Sequence, residues 1–193
     1  VNPKSRLTLG DALGPGDAIV LLGSSGIHAN GLSLARKLVE RLPGGWLTEV
    51  EPGLSYGAAL LAPTLLYPPV TEALHRAGVR VHYSVNVTGH GWRKLLRHPS
   101  AHTYRIHMVP PVPAVLGFIQ HHAALDDEEA YGTLNMGAGF ALFVPAGDAA
   151  RAVQAAHDAG VSAWIAGAVE AGPKQLVIEP LGLTFGGDAL ALR

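Results

Sequence analysis

The 193-residue chain has no cysteine and little charge. Without thiols it can build no disulfide, no thiolate zinc site and no cysteine nucleophile, and this composition fits a cytoplasmic setting. Charged residues make up 15% and hydrophobic residues 48%, a balance that excludes a disordered or coiled-coil chain. Neither sign of charge dominates. Fourteen Lys and Arg against 15 Asp and Glu leave a net charge of -1, so no global basic field gathers nucleic acid or anionic lipid, and neither is expected as a partner. Long hydrophobic runs are missing as well, because Gly, Pro, Asn or His cuts each apolar stretch well short of the ~20 residues that a membrane span needs. Residues 1–8 show neither a signal-peptide run nor an initiator Met, and the chain is expected to be a fragment or a processed product.

Glycine (24) and proline (14) are plentiful, at intervals too irregular for a repeat array. After a turn at residues 14–17, the apolar run 18–22 has the length of a buried strand. A glycine loop, 23–30, follows. From Gly31 the residues Leu32, Ala35, Leu38, Val39 and Leu42 keep helical spacing, with Asn30 or Ser33 able to cap and residues 43–45 able to stop the helix. Residues 46–56 look irregular, and 67–77 read as a helix with Pro68 and Pro69 in its first turn. Residues 79–87 alternate apolar and polar with the period of a half-buried strand and run into a short basic helix, 92–97. Further strands are expected at 103–109, 140–144, 163–169 and 175–178, and further helices around 114–122 and 148–159, with an open reading for the tail 181–193. Interleaved helices and strands without a clear parallel repeat imply a layered mixed α/β, or α+β, fold: a mixed sheet covered by helices in one domain.

Three loops could carry chemistry. Ser24, Ser25, Gly26, His28 and Asn30 lie between a strand and a helix, where backbone N–H groups and the partial positive charge of a helix start favour phosphate. An ordinary strand-to-helix turn with a polar cap explains the same residues, and the loop is neither a Walker loop nor a GxGxxG fingerprint. Gly89, His90 and Gly91 follow the alternating strand, and two glycine loops after strands suggest a shared cleft. Asn135 and Gly137 precede an apolar strand, where a tight turn or bulge is the simpler account.

Ten histidines raise the question of a metal, but Pro99 separates His98 from His102 and His121 and His122 are adjacent, so no metal ligand is assigned. Glu128 and Glu129 could serve as acid or base, yet residues 126–129 also read as a solvated helix start. No nucleophile elbow surrounds Ser24 or Ser25.

The ordered set Gly16-Asp17, residues 24–31 with 34–37, Leu61-Ala62-Pro63-Thr64 with Tyr67, Thr88-Gly89-His90-Gly91, residues 135–139 and Ala163-Trp164-Ile165 with Gly167 resembles the C-terminal domain of aminoimidazole ribonucleotide (AIR) synthetase, a phosphoribosylformylglycinamidine cyclo-ligase. The likeness runs from about residue 16 to 179. His90 and Trp92 stand where that family usually has a glycine and an aliphatic residue, and Gly132 where an arginine is common. The resemblance implies an AIR-synthase-like domain and an ATP-dependent closure of formylglycinamidine ribonucleotide to AIR in purine biosynthesis. It implies ATP and Mg2+ as cofactors, held mostly by an N-terminal domain absent from this chain, so that the isolated chain is inactive. It assigns Ser24, Ser25 and Gly26 to substrate phosphate, His28 and Asn30 to orientation or proton transfer, Gly89, His90 and Gly91 to the opposite wall, and Asn135 and Gly137 to supporting contacts. The expected partners are the ribonucleotide, the missing domain and a possible homodimer. A selenophosphate synthetase-like phosphoryl-transfer enzyme and a stand-alone phosphate or nucleotide-binding module are the alternatives.

Overall fold

Every residue of the first strand is buried, and its two-sided burial explains its unbroken apolar run. Ile19 and Leu21 enter one core, while Ala18, Val20 and Leu22 enter a second core on the opposite face of the sheet. The computed structural model describes residues 8–190. Its strands are β1 (Asp17–Gly23), β2 (Glu49–Glu51), β3 (Leu54–Ser55), β4 (Tyr83–Asn86), β5 (His102–Ile106), β6 (Ala138–Pro145), β7 (Ala163–Ala171), β8 (Gln175–Ile178) and β9 (Leu183–Gly186). Seven form one sheet in the order β4-β6-β1-β7-β5-β8-β9, in which only β5 and β8 pair in parallel, and β2 and β3 make a separate hairpin.

Helices α1 (Leu32–Val39) and α2 (Tyr56–Leu60) pack on the face of Ile19, and α3 (Pro68–Arg76) on the face of Val20. Later in the chain α4 (Ala114–His122) and α5 (Asp127–Thr133) join the first face with the 3-10 segment Gly91–Arg97, and α6 (Ala149–Asp158) joins the second. The architecture is therefore the expected mixed α/β sheet with helices on both sides.

Several local readings need correction. Residues 79–87 alternate, but only 83–86 join the ladder. Before them, the Val79 N–H donates to Leu74 O (3.0 Å) and the Arg80 N–H to the Asp148 carboxylate (3.1 Å), which ties the approach to the α3 and α6 side. The strand expected at 103–109 ends at Ile106, because the His107 and Met108 N–H groups both turn to Ala166 O and two prolines follow. Neither Asn30 nor Ser33 caps α1: Gly31 is the N-cap, at φ +82°, with no side-chain cap bond. The helix ends at Val39, short of Leu42, which is buried all the same.

Residues 46–56, read as irregular, hold the β2–β3 hairpin and the start of α2, whose N-cap Ser55 accepts from the Ala58 N–H at 3.3 Å. The tail contributes β9. Its last three residues, and residues 1–7 of the N-terminal stretch, lie outside the described set. Asp126 and Glu129 form a reciprocal capping box on α5, which accounts for the acidic patch as a helix start.

Candidate active site

The three glycine loops meet at one end of β1 and β6, and Asn135 joins two of them. Its buried side chain accepts from Ser24 Oγ (2.7 Å) and the Gly137 N–H (3.1 Å) through Oδ1, and donates to Gly26 O through Nδ2 (2.8 Å). The Ser24 N–H donates to Gly137 O at 3.0 Å, adding a backbone link between the same loops. The carbonyl of Asn135 accepts from Trp92 Nε1 at 2.7 Å, which ties in the segment after Gly91. Trp92 is fully buried, with its ring edge-on to Tyr131.

Asn30, released from capping, lies over Gly89: its Oδ1 would be 3.1 Å from a β-carbon placed there. A β-carbon at Gly139 would overlap the Tyr67 hydroxyl and sit 2.8 Å from the His28 ring, so the first loop rests directly on the start of β6. The Tyr67 hydroxyl donates to Gly23 O at 2.8 Å and fixes the end of β1 from below. Burial pushes the Tyr67 phenol well above its usual range, which keeps it a neutral donor.

Two of the three non-glycine residues with left-handed φ among the described residues, His28 (+56°) and Met136 (+41°), lie in these loops. Such conformations cost about 1–3 kcal/mol each and gather where function over-determines the backbone. The tautomer of His28 is set by its partners. The Ser25 backbone N–H donates to His28 Nε2 at 3.1 Å, so that nitrogen must accept and the proton of the neutral ring sits on Nδ1. The Ser25 hydroxyl, 3.2 Å from the same nitrogen, donates instead to Pro63 O at 2.6 Å. His28 therefore does not activate Ser25 as a nucleophile.

Burial lowers the His28 pKa below the ordinary 6.5. The unfolded chain consequently binds the proton more readily, and the stability His28 lends at neutral pH is lost as pH falls below 6.5. Nitrogen-detected NMR should show the Nδ1–H tautomer with a midpoint below 6.5, and His28→Ala should flatten the acid-side fall in Tm. A midpoint at or above 6.5 would contradict the assignment.

Ser24, Ser25, Gly26, His28, Asn30, Gly89, Gly91, Asn135 and Gly137 are thus brought together, with the hydroxyls and backbone N–H groups of both serines engaged within the site. The His90 side chain turns to a separate cleft with Lys94 and Arg97. Sequence reasoning missed Tyr67 and Pro63 as parts of the site, although both lie in the stretch that carried the resemblance. It also missed Arg93, whose guanidinium lies against Gly132 and donates to the carbonyls of Gly132 (2.9 Å) and Ala189 (3.1 Å). The basic character of 92–97 was the available signal. Among the described residues no three His, Asp or Glu side chains cluster as a metal site, and no helix is long and apolar enough to cross a membrane.

Residues 14–179 match the family model described as "AIR synthase related protein, C-terminal domain". A phosphoribosylformylglycinamidine cyclo-ligase of Methanococcus vannielii is 36% identical over 172 residues, 86% of this chain and 48% of that protein. The protein of the same name from Paraburkholderia xenovorans is 33% identical over 182 residues, 91% of this chain and 50% of its own. The chain spans about half the length of the curated relatives it matches. Among solved structures, the hydrogenase maturation protein HypE of E. coli superposes with a TM-score of 0.57 at 20% identity, covering 92% of this chain and 51% of its own. Thermotoga maritima PurL complexed with FGAR gives 0.57 at 15% identity, over 97% of this chain and 30% of its own. At these identities the structural likeness establishes the fold.

Proposed function

The chain belongs to the family of AIR synthase related proteins, as their C-terminal domain, and on that premise we propose that it is the substrate-binding half of an ATP-dependent cyclo-ligase that closes formylglycinamidine ribonucleotide to AIR. The observation that carries this reading is the convergence of three loops, far apart in sequence, on the Asn135 side chain and backbone, in a chain that matches one half of the curated cyclo-ligases.

The proposal places most of the ATP and Mg2+ ligands in the other half. ATP would supply the phosphoryl group that activates the formyl amide oxygen. This chain's part is positioning, a leading effect available to such a reaction. His28 offers an Nδ1–H donor that no acceptor among the described residues takes up, and the Asn30 amide of the same loop lies over Gly89 of the next. Together they would orient the polar groups of the substrate, while Ser24, Ser25, Gly26, Asn135 and Gly137 hold the wall in shape. Ser24 and Ser25 could contact phosphate only by exchanging the bonds they now make. Leu61 and Leu66, 82% and 74% exposed on either side of Pro63, give an apolar edge suited to the other half or to a second copy of the chain.

Calorimetric titration tests the reading. The chain is expected to bind formylglycinamidine ribonucleotide, to bind Mg-ATP weakly and to catalyse no turnover alone, with His28→Ala weakening ribonucleotide binding by about tenfold, or 1.4 kcal/mol. Turnover by the chain alone that is lost in His28→Ala, or ribonucleotide binding indifferent to that substitution, would overturn it.

A further inference from the structure

Beside the loops, at His90, opens a cleft of about 330 Å³, near the lower end of the ~300–1,000 Å³ usual for small-molecule sites. Lys94, Arg97 and Lys174 line it with His90, against the single carboxylate of Asp188. In a chain of net charge -1 this is a local excess of two positive charges with His90 neutral.

Elsewhere Arg105 is paired with Glu170 and Glu179, Arg80 and Arg151 share Asp148, and Arg93 is engaged by three carbonyls. Lys94, Arg97 and Lys174 have no such ion pair among the described residues. Lys94 is held below the ordinary lysine value by partial burial and by Arg97, and His90 below its own by burial and then by Lys94, Arg93 and Arg97. Like charges crowded at the mouth of a cavity raise the free energy of the empty cleft and are relieved by a bound anion.

Lysines supply mobile point charges, arginine a planar fork that matches tetrahedral oxyanions, and neutral imidazole an N–H donor. By contrast, the serine donors in the neighbouring loop are already engaged. We propose that the His90–Lys94–Arg97–Lys174 cleft is a phosphate-binding site that takes the dianionic group of a phosphomonoester or free phosphate. The inference stands on the cleft itself and does not require the cyclo-ligase reading.

The test is titration of the whole chain at constant ionic strength with sodium phosphate and, separately, ribose 5-phosphate, followed by proton–nitrogen NMR, with ribose and chloride as controls. Saturable shifts confined to His90, Lys94, Arg97 and Lys174 are expected, with a Kd of about 1 mM or tighter. The double variant Lys94→Gln/Arg97→Gln, and independently Lys174→Gln, should weaken binding at least about tenfold, whereas Lys37→Gln/Arg41→Gln, which removes the same charge from exposed positions on and just after α1, should not. Unchanged melting curves would exclude loss of fold. Much tighter ribose 5-phosphate would assign an organic phosphomonoester, and equal affinity would assign free phosphate; either supports the site. Failure to saturate, or equal loss in the α1 control, would overturn it.

Discussion

Gly91→Ala is expected to lower stability by about 3 kcal/mol or more, which for a domain of this size is a fall in Tm of roughly 6–12 °C. Gly91 has φ +52°, and an added β-carbon would sit 2.1 Å from Tyr131 O and 2.8 Å from both Leu134 O and Thr133 N. These neighbours are all backbone atoms, so no rotamer change relieves the overlap. The loop would have to lift off the end of α5, and Trp92, Leu95 and Leu96, all fully buried, would move with it. The left-handed conformation alone costs an alanine about 1–2 kcal/mol. Gly78→Ala isolates that part, because Gly78 has φ +66° and nothing within 4 Å of the β-carbon position. Urea unfolding of the two variants should therefore differ by about 2 kcal/mol, the cost of the collision. Equal stabilities would mean that loop 88–91 does not rest on α5 as described.

What the sequence showed of this molecule is what neighbouring residues decide together. The run 18–22, the glycines after it and the spacing of Leu32, Ala35 and Leu38 are short-range signals, and β1, the first loop and α1 follow from them. The cap does not follow from local sequence because Asn30 has two options: an N–H of its own helix, or a place over Gly89 that exists only once the second loop has folded beside it. The alternating run 79–87 outlasts the strand for a similar reason, since alternation marks which side chains are buried and says nothing of where Arg80 N–H finds its acceptor, in this case Asp148, 68 residues away. The β2–β3 hairpin and α2 are too short for periodicity to register.

All three loops were legible as glycine-rich breaks, two after strands and one before a strand. Their mutual bonds were not, because the Ser24–Asn135 pair is separated by 111 residues and carries no local pattern. Ser25 shows the limit most clearly. Spacing alone does not say where its hydroxyl proton goes, and only the position of Pro63 O reveals that it points away from the His28 ring.

Asn135→Ala is the second large effect, and it separates the joined-loop arrangement from an ordinary turn before β6. If Asn135 merely shaped a turn, alanine would cost a few tenths of a kcal/mol to about 1. In the structure three groups depend on its amide. The Gly137 N–H and Gly26 O are buried and would be left without their partner, at about 1–3 kcal/mol each, while the half-buried Ser24 hydroxyl can turn to water. The expected loss is about 3–4 kcal/mol, or roughly 6–15 °C in Tm. Asn135→Asp should not rescue it: the carboxylate still accepts from Ser24 and Gly137 but turns an oxygen toward Gly26 O in place of the donor, within a site that excludes most water. Ser24→Ala alone should cost about 1 kcal/mol, and the double variant should be no worse than Asn135→Ala, because the two residues share one bond. The bond from Trp92 Nε1 reaches the backbone carbonyl of residue 135 and survives the substitution, so the segment after Gly91 should keep its protection in hydrogen exchange while loops 24–31 and 135–139 lose theirs. That split, local opening of two loops with the segment around Gly91 intact, is what an amide bridging loops 24–31 and 135–139 predicts. Uniform loss of protection across all three would instead make residue 135 a general core position.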